Sequence, residues 1–162
     1  LIGCLKFCYL SILIKKEDMY KLSKRSAGRL SKVHPVMVDI FSNGLSDSPY
    51  DFGIPNYGGG RTDEDQENLY AIGRTVKGTI ITWTLNSKHL INKKTGYGHA
   101  VDIYAYVNGK ASWSLKYLQP IARHLQKYAM DKHGIKLQWG QDLWGKDGAH
   151  FQCDEEDLIK FN

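Results

Sequence analysis

Cysteine is scarce. The 162 residues contain three, Cys4, Cys8 and Cys153, too few for a disulfide framework and without the spacing of a zinc finger. No apolar run reaches the ~20 residues that a helix needs to cross a bilayer. The chain has no internal repeat and no low-complexity tract. It has no Gly-Lys-Ser/Thr phosphate loop, and Gly96–Gly98 precedes a strand-like run rather than a helix, so it is no dinucleotide fingerprint. A His-Glu-x-x-His helix is also missing. Lysine and arginine are dispersed rather than clustered with aromatics, which argues against a nucleic-acid-binding domain. A membrane protein, a stapled toxin, a fibrous repeat and a disordered tail are all excluded.

What is present suits one folded domain. Hydrophobic residues are 42% and charged residues 24%, enough for a real core. The net charge of +5 fits an anionic partner such as cell wall, nucleic acid or a membrane surface, without choosing among them. Residue 1 is Leu, and residues 1–14 are apolar apart from Lys6. We expect residues 1–18 to be a non-native or disordered extension, with Met19 as a candidate start and the functional domain over 19–162. The competing reading is a remnant of an export or anchor segment.

Short elements can be placed by local signals. Pro35 suits a first helical position, His34 is a candidate N-cap, and Val36, Met37, Ile40 and Phe41 repeat at helical spacing up to Gly44. Tyr50–Ile54 reads as a strand. Thr62 is a good N-cap for a helix running towards Gly73, with Asp63, Glu64 and Asp65 in its first turn. Ile80–Thr84 and Val101–Tyr106 read as strands, the second closed by an Asn108-Gly109 turn. A longer helix is expected from Pro120 to Gly134, followed by strands at Ile135–Trp139 and Ala149–Gln152. Short strands joined by long loops predict an α+β domain with a small, mostly antiparallel sheet and about three helices.

Six histidines are present. His124 lies on an apolar helix face and reads as a packed core residue, and His133 sits where a cation suits a helix C-terminus. His89, His99, Asp102, Asp147 and His150 lie next to predicted strands. Imidazoles and a carboxylate on adjacent strands can hold zinc, while a nearby carboxylate can activate water. Spacing alone leaves open that these are ordinary surface polar residues.

A set of ordered motifs goes further. Ser87-x-His89, Gly98-x-Ala100-x-Asp102 and Asp147-x-x-His150 resemble the zinc peptidases that include D-Ala-D-Ala carboxypeptidases and phage L-alanyl-D-glutamate endolysins. The stretches 30–38, 51–55, 60–66, 73–78, 82–89, 98–113 and 117–122 also resemble the endolysin branch, in order, so the likeness covers about residues 26–153. The resemblance implies a hedgehog/DD-peptidase-like fold and a zinc ion held by His89, Asp102 and His150. It implies Asp147 as catalytic base and Arg61 as a contact to substrate or the developing oxyanion. Ser87 would support the ligands from behind. Gln66 and Trp144 are candidate substrate contacts, and Trp139 belongs either to the cleft or to the core.

One departure stands out. Twelve residues separate His89 from Asp102, more than in the compact family pattern, and Leu90–Tyr97 reads as a lengthened loop. His99 is set aside as a ligand, because residues three apart on one strand point to opposite faces. The activity implied is metal-assisted hydrolysis of the peptidoglycan stem peptide, at the L-Ala–D-Glu bond. The rival readings are a D-Ala-D-Ala carboxypeptidase with the same metal site and a non-catalytic wall-binding module. The expected protein is a monomer with no nucleic-acid partner and no stable membrane association. It would be held in the host cytoplasm until a holin lets it reach the wall.

Overall fold

The computed structural model describes residues 20–162; the expectations for residues 1–18 lie outside the described residues. Six α-helices and six short strands follow in the order α1 (Lys24–Arg29), α2 (Pro35–Asn43), β1 (Asp51–Gly53), α3 (Asp63–Ala71), β2 (Ala100–Asp102), β3 (Tyr104–Val107), β4 (Lys110–Ser112), α4 (Leu115–His133), β5 (Gln138–Trp139), α5 (Gly140–Trp144), β6 (His150–Gln152) and α6 (Glu155–Leu158). The strands form two antiparallel sheets, ordered β1-β3-β4 and β2-β6-β5. The fold is α+β, as the pattern of elements predicts.

Local chemistry explains most boundaries. The His34 Nδ1 accepts from the Val36 amide, and Pro35 takes the first helical position of α2. The Thr62 hydroxyl accepts from the Asp65 amide at 3.1 Å, while the Asp65 carboxylate accepts from the Thr62 amide at 3.0 Å, a reciprocal cap on α3. Asn108 and Gly109, with φ of 50° and 75°, make the left-handed turn of the β3–β4 hairpin. Gly134, at φ 65°, ends α4.

The described residues form six helices where about three are expected, because short turns such as α1, α5 and α6 carry little periodic signal, and two small sheets in place of one. Three individual elements also differ. Helix α4 begins at Leu115, with Pro120 inside it. Proline removes only one amide there, and burial of Leu118, Ile121, Ala122, Leu125 and Ala129 along one face outweighs that loss. Val101–Tyr106 is not one strand. The Ile103 amide donates to the Ala149 carbonyl, and the chain passes at this residue from one sheet to the other. Ile80–Thr84 forms no strand and joins neither sheet. It lies beside α3 instead, where Gln66 Nε2 donates to the Thr82 hydroxyl and the Thr84 carbonyl.

The core fills the space between α2, α4 and the two sheets. Met37, Ile40 and Phe41 meet Val101, Ile103, Ala105, Ile121, Leu125 and Phe151, all fully buried. Phe41 touches Phe151 and Phe52 edge-to-face, with centroids 5.5 and 6.3 Å apart, so one ring ties the two sheets together. Gly59 and Gly60 exist for close approach. A Cβ would meet the Arg29 carbonyl at 1.9 Å from Gly59 and the Lys32 carbonyl at 2.3 Å from Gly60. That contact brings the 58–61 segment under the polar site.

Candidate metal centre and active site

Strand register creates the site. In the β2–β6 pair Asp102 lies directly opposite His150. On the other edge of β2 the Asp102 amide donates to the Gly58 carbonyl at 2.7 Å. The 58–61 segment then carries His89, because the Arg61 amide donates to the His89 carbonyl at 2.7 Å. The lengthened loop does not push His89 away. The Asn92 amide donates to the Tyr97 carbonyl and the His99 amide to the Lys88 carbonyl, so residues 90–97 fold out and return to their starting point. Glu155 clamps this loop through Asn92 and Lys94.

His89, Asp102 and His150 converge, with donor atoms all within 4.8 Å of one another. His89 Nε2 lies 3.3 Å from Asp102 Oδ2, and His150 Nδ1 lies 3.0 Å from Asp102 Oδ1. Two ligands on one tetrahedral ion sit ~3.4 Å apart, given bond lengths of about 2.1 Å. Each imidazole has its other nitrogen engaged: His89 Nδ1 donates to the Gly59 carbonyl at 2.8 Å, and His150 Nε2 donates to Gln152 Oε1 at 3.1 Å. Those bonds leave the lone pairs of His89 Nε2 and His150 Nδ1 facing the carboxylate, which is the tautomer a metal requires. Two neutral imidazoles and one carboxylate fit a divalent cation such as zinc and leave a coordination position open.

The support behind His150 continues. Gln152 Nε2 donates to Gln138 Oε1 at 2.8 Å, and Gln138 Nε2 donates to Asp154 Oδ2 at 2.7 Å. The sequence reading missed this chain of amides. Its one local signal is that Gln152, two residues beyond His150, must share its strand face.

Without a cation, His89 Nε2 and His150 Nδ1 are protonated towards Asp102: burial acts to raise its pKa, but the His89 charge and the hydrogen bonds from His150 and His89 prevail and hold the carboxyl well below the usual range. A cation between them would take the place of those two protons. Arg61 Nη2 adds a contact to Asp102 Oδ2 at 3.3 Å. The rest of the guanidinium is used within the chain, Nε donating to the Tyr57 carbonyl and Nη1 to Gln66 Oε1. Arg61 is 6% exposed and Gln66 1%. Both expected substrate contacts are therefore buried behind the site, because the chain itself satisfies their polar atoms. Ser87 Oγ accepts from the His89 amide at 3.2 Å and sets the turn that presents the imidazole.

Asp147 stands beside the three donors without joining them. Its pKa is raised, first by lost hydration and then by the Asp102 charge. Its backbone is left-handed, with φ 68°, and Gly140 makes room for it, since a Cβ there would meet the Asp147 carbonyl at 2.5 Å. Trp139 is core, 2% exposed, and its indole N–H donates to the Gly148 carbonyl, bracing the Asp147 loop from below. Trp144 is half exposed, its ring 5.5 Å from that of His150. Asp142 is paired with Arg123. His99 is not in the donor group; it is buried, bonded through Nε2 to the Thr95 hydroxyl, and burial lowers its pKa to about 4. His124 donates to the Gly44 carbonyl and His133 to Asp39, both as structural bonds.

The model of the phage L-alanyl-D-glutamate peptidase family matches residues 19–160. The L-alanyl-D-glutamate peptidase of Escherichia phage T5 is 30% identical over 132 residues, 81% of this chain and 86% of that protein. The crystal structure of the Serratia marcescens L-Ala D-Glu endopeptidase ChiX is similar with a TM-score of 0.67 and 29% identity, covering 90% of this chain and 98% of that one. These matches define the class of the protein, a hydrolase of the peptidase type. The chain belongs to the phage L-alanyl-D-glutamate peptidase family.

Proposed function

We propose that the protein cleaves the L-Ala–D-Glu bond of the peptidoglycan stem peptide, with zinc held by His89, Asp102 and His150 and Asp147 as general base. The observation that carries this reading is the convergence of three oriented donors beside a carboxyl that is not one of them. A zinc ion at this site supplies Lewis-acid chemistry, lowering the pKa of water towards ~7 and polarising the scissile carbonyl. Asp147 takes the proton of the attacking water and returns it to the leaving D-Glu amine. Its raised pKa suits both halves of that task. Arg61 is a positioning residue, which fixes Asp102 Oδ2 and keeps a permanent positive charge behind it. Gln66 holds Arg61 and the 82–84 segment together. Trp144 offers the stem peptide an apolar face beside His150.

No helix among the described residues is long and apolar enough to cross a membrane. We place the protein in the host cytoplasm as a monomer until a holin opens the inner membrane to it. The test is mass spectrometry of muropeptides after digestion of purified sacculi. New L-Ala carboxyl and D-Glu amino ends are expected. Loss of a single terminal D-Ala would instead assign a carboxypeptidase, and unchanged muropeptides would leave a wall-binding module.

A further inference from the structure

A groove of about 630 Å³ lies between α1 and the outer face of the β1-β3-β4 sheet, and it shares no lining residue with the metal centre. Strand alternation puts Tyr104 and Tyr106 on this face, opposite Gly53 and Asp51 respectively. The Tyr104 ring lies across Gly53, where a Cβ would meet its hydroxyl at 2.4 Å. Trp113 extends the aromatic row, with its ring 5.7 Å from that of Tyr104.

The helix side of the groove is cationic. Lys21, Lys24, Arg25 and Arg29 line it, against the single acid Asp51. Arg29 is committed to the Ile54 carbonyl and Asn56. Lys21, Lys24 and Arg25 are exposed and make no ion pair among the described residues. Planar aromatics facing a row of unneutralised cations suit a ligand that alternates sugar rings with carboxylates. The volume falls in the range of clefts that hold small-molecule ligands, ~300–1,000 Å³, enough for a short piece of polymer.

We propose that this groove is a second binding site for the wall polymer, holding glycan and acidic stem peptide of a strand next to the one being cut. The inference rests on the proposed peptidoglycan substrate. Sugar rings stack on Tyr104 and Tyr106, and stem-peptide carboxylates pair with Lys24 and Arg25. The segment running from β1 through Asn56 and Tyr57 to Gly58 connects the groove to the strand that carries Asp102. A second contact of this kind raises the local concentration of scissile bonds without altering the chemistry.

The test separates binding from turnover. Lys24→Glu/Arg25→Glu and Tyr106→Ala are each combined with Asp147→Asn, so that the polymer is not consumed, and sedimented with purified sacculi. Sacculus affinity should fall at least ~10-fold relative to Asp147→Asn alone, and the charge reversal should remove most of its salt dependence. Without Asp147→Asn, the same groove variants should cut a soluble stem peptide within about twofold of the wild-type rate, since the groove shares no residue with the metal centre. Unchanged sacculus affinity overturns the proposal. So does loss of binding to phosphatidylglycerol vesicles with sacculus binding intact, which would assign the groove to a membrane surface. If the wild-type protein fails to cut the soluble peptide, the proposed function fails, while sedimentation still reads the groove on its own.

Discussion

Asp147→Asn separates proton transfer from everything else the site does. The substitution keeps size and shape but removes the ability to accept a proton. Asparagine, like aspartate, tolerates left-handed backbone, so the φ of 68° at this position remains accessible without new strain. The carboxyl is not among the three donors, and the bonds that orient His89 and His150 come from Gly59 and Gln152. Metal content and melting temperature should therefore match the wild type. A lost general base costs ~10²–10⁴-fold in rate, or roughly 3–5 kcal/mol of barrier. Turnover of sacculi, followed by release of new amino ends, should fall by that factor with zinc still bound at about one per chain. A rate within threefold of wild type, at full zinc occupancy, would refute the assignment of Asp147. Asp142 would not be a ready substitute, because Arg123 pairs with it and its pKa is lowered first by that hydrogen bond.

Four further outcomes follow from the geometry. His89→Ala, Asp102→Ala and His150→Ala should each deplete zinc measured by elemental analysis, whereas His99→Ala should leave it in place. Gln152→Leu removes the acceptor on His150 Nε2, and should weaken zinc affinity ~10–100-fold in a chelator competition, with recovery in Gln152→Glu. Thr62→Ala should cost about 1 kcal/mol by removing one half of the α3 cap, read as a fall of a few degrees in melting temperature with zinc content unchanged. Burial acts to raise the pKa of Asp39, but its hydrogen bonds from Asn43 and His133 prevail and lower it below the ordinary carboxylate range. A depressed carboxylate stabilises the fold above its unfolded pKa, and that contribution is lost as pH falls through the folded one; Asp39→Asn should accordingly flatten the decline of melting temperature below about pH 4.

The features legible in sequence are those set by near neighbours in the chain. The Thr62–Asp65 cap, the Pro35 helix start, the Asn108-Gly109 hairpin and the Gly134 stop each depend on residues within four positions. The misreadings share one cause, a local signal overridden by a distant partner. Ile80–Thr84 has the composition of a strand, yet the sheet edges are taken up elsewhere, and Gln66 on α3 captures its polar groups. Pro120 looks like a helix start, yet Leu118 is buried against the core, which holds the preceding turn in the helix. Ile103 opens an apolar-aromatic run that reaches Val107, and the Ala149 carbonyl, forty-six residues later, holds it between the two sheets.

The same distinction applies to the site. His89, Asp102, Asp147 and His150 could be named because their residue types and spacing are visible, and the long loop before Asp102 was the natural reason to doubt His89. In the fold the loop closes through Asn92 and Tyr97 and is held from outside by Glu155, which keeps His89 beside Asp102. What sequence could not show is how each donor is aimed. Gly59 orients His89 across thirty residues, Arg61 reaches Asp102 across forty-one, and the Gln152–Gln138–Asp154 chain runs between strands. All these partners are common residue types whose significance is only their position. A site with the right donors but without that support would leave the imidazoles free to rotate, and the strength of metal binding would drop with each lost bond. The zinc affinity of Gln152→Leu therefore tests how much of this centre lies in its ligands and how much in the frame around them.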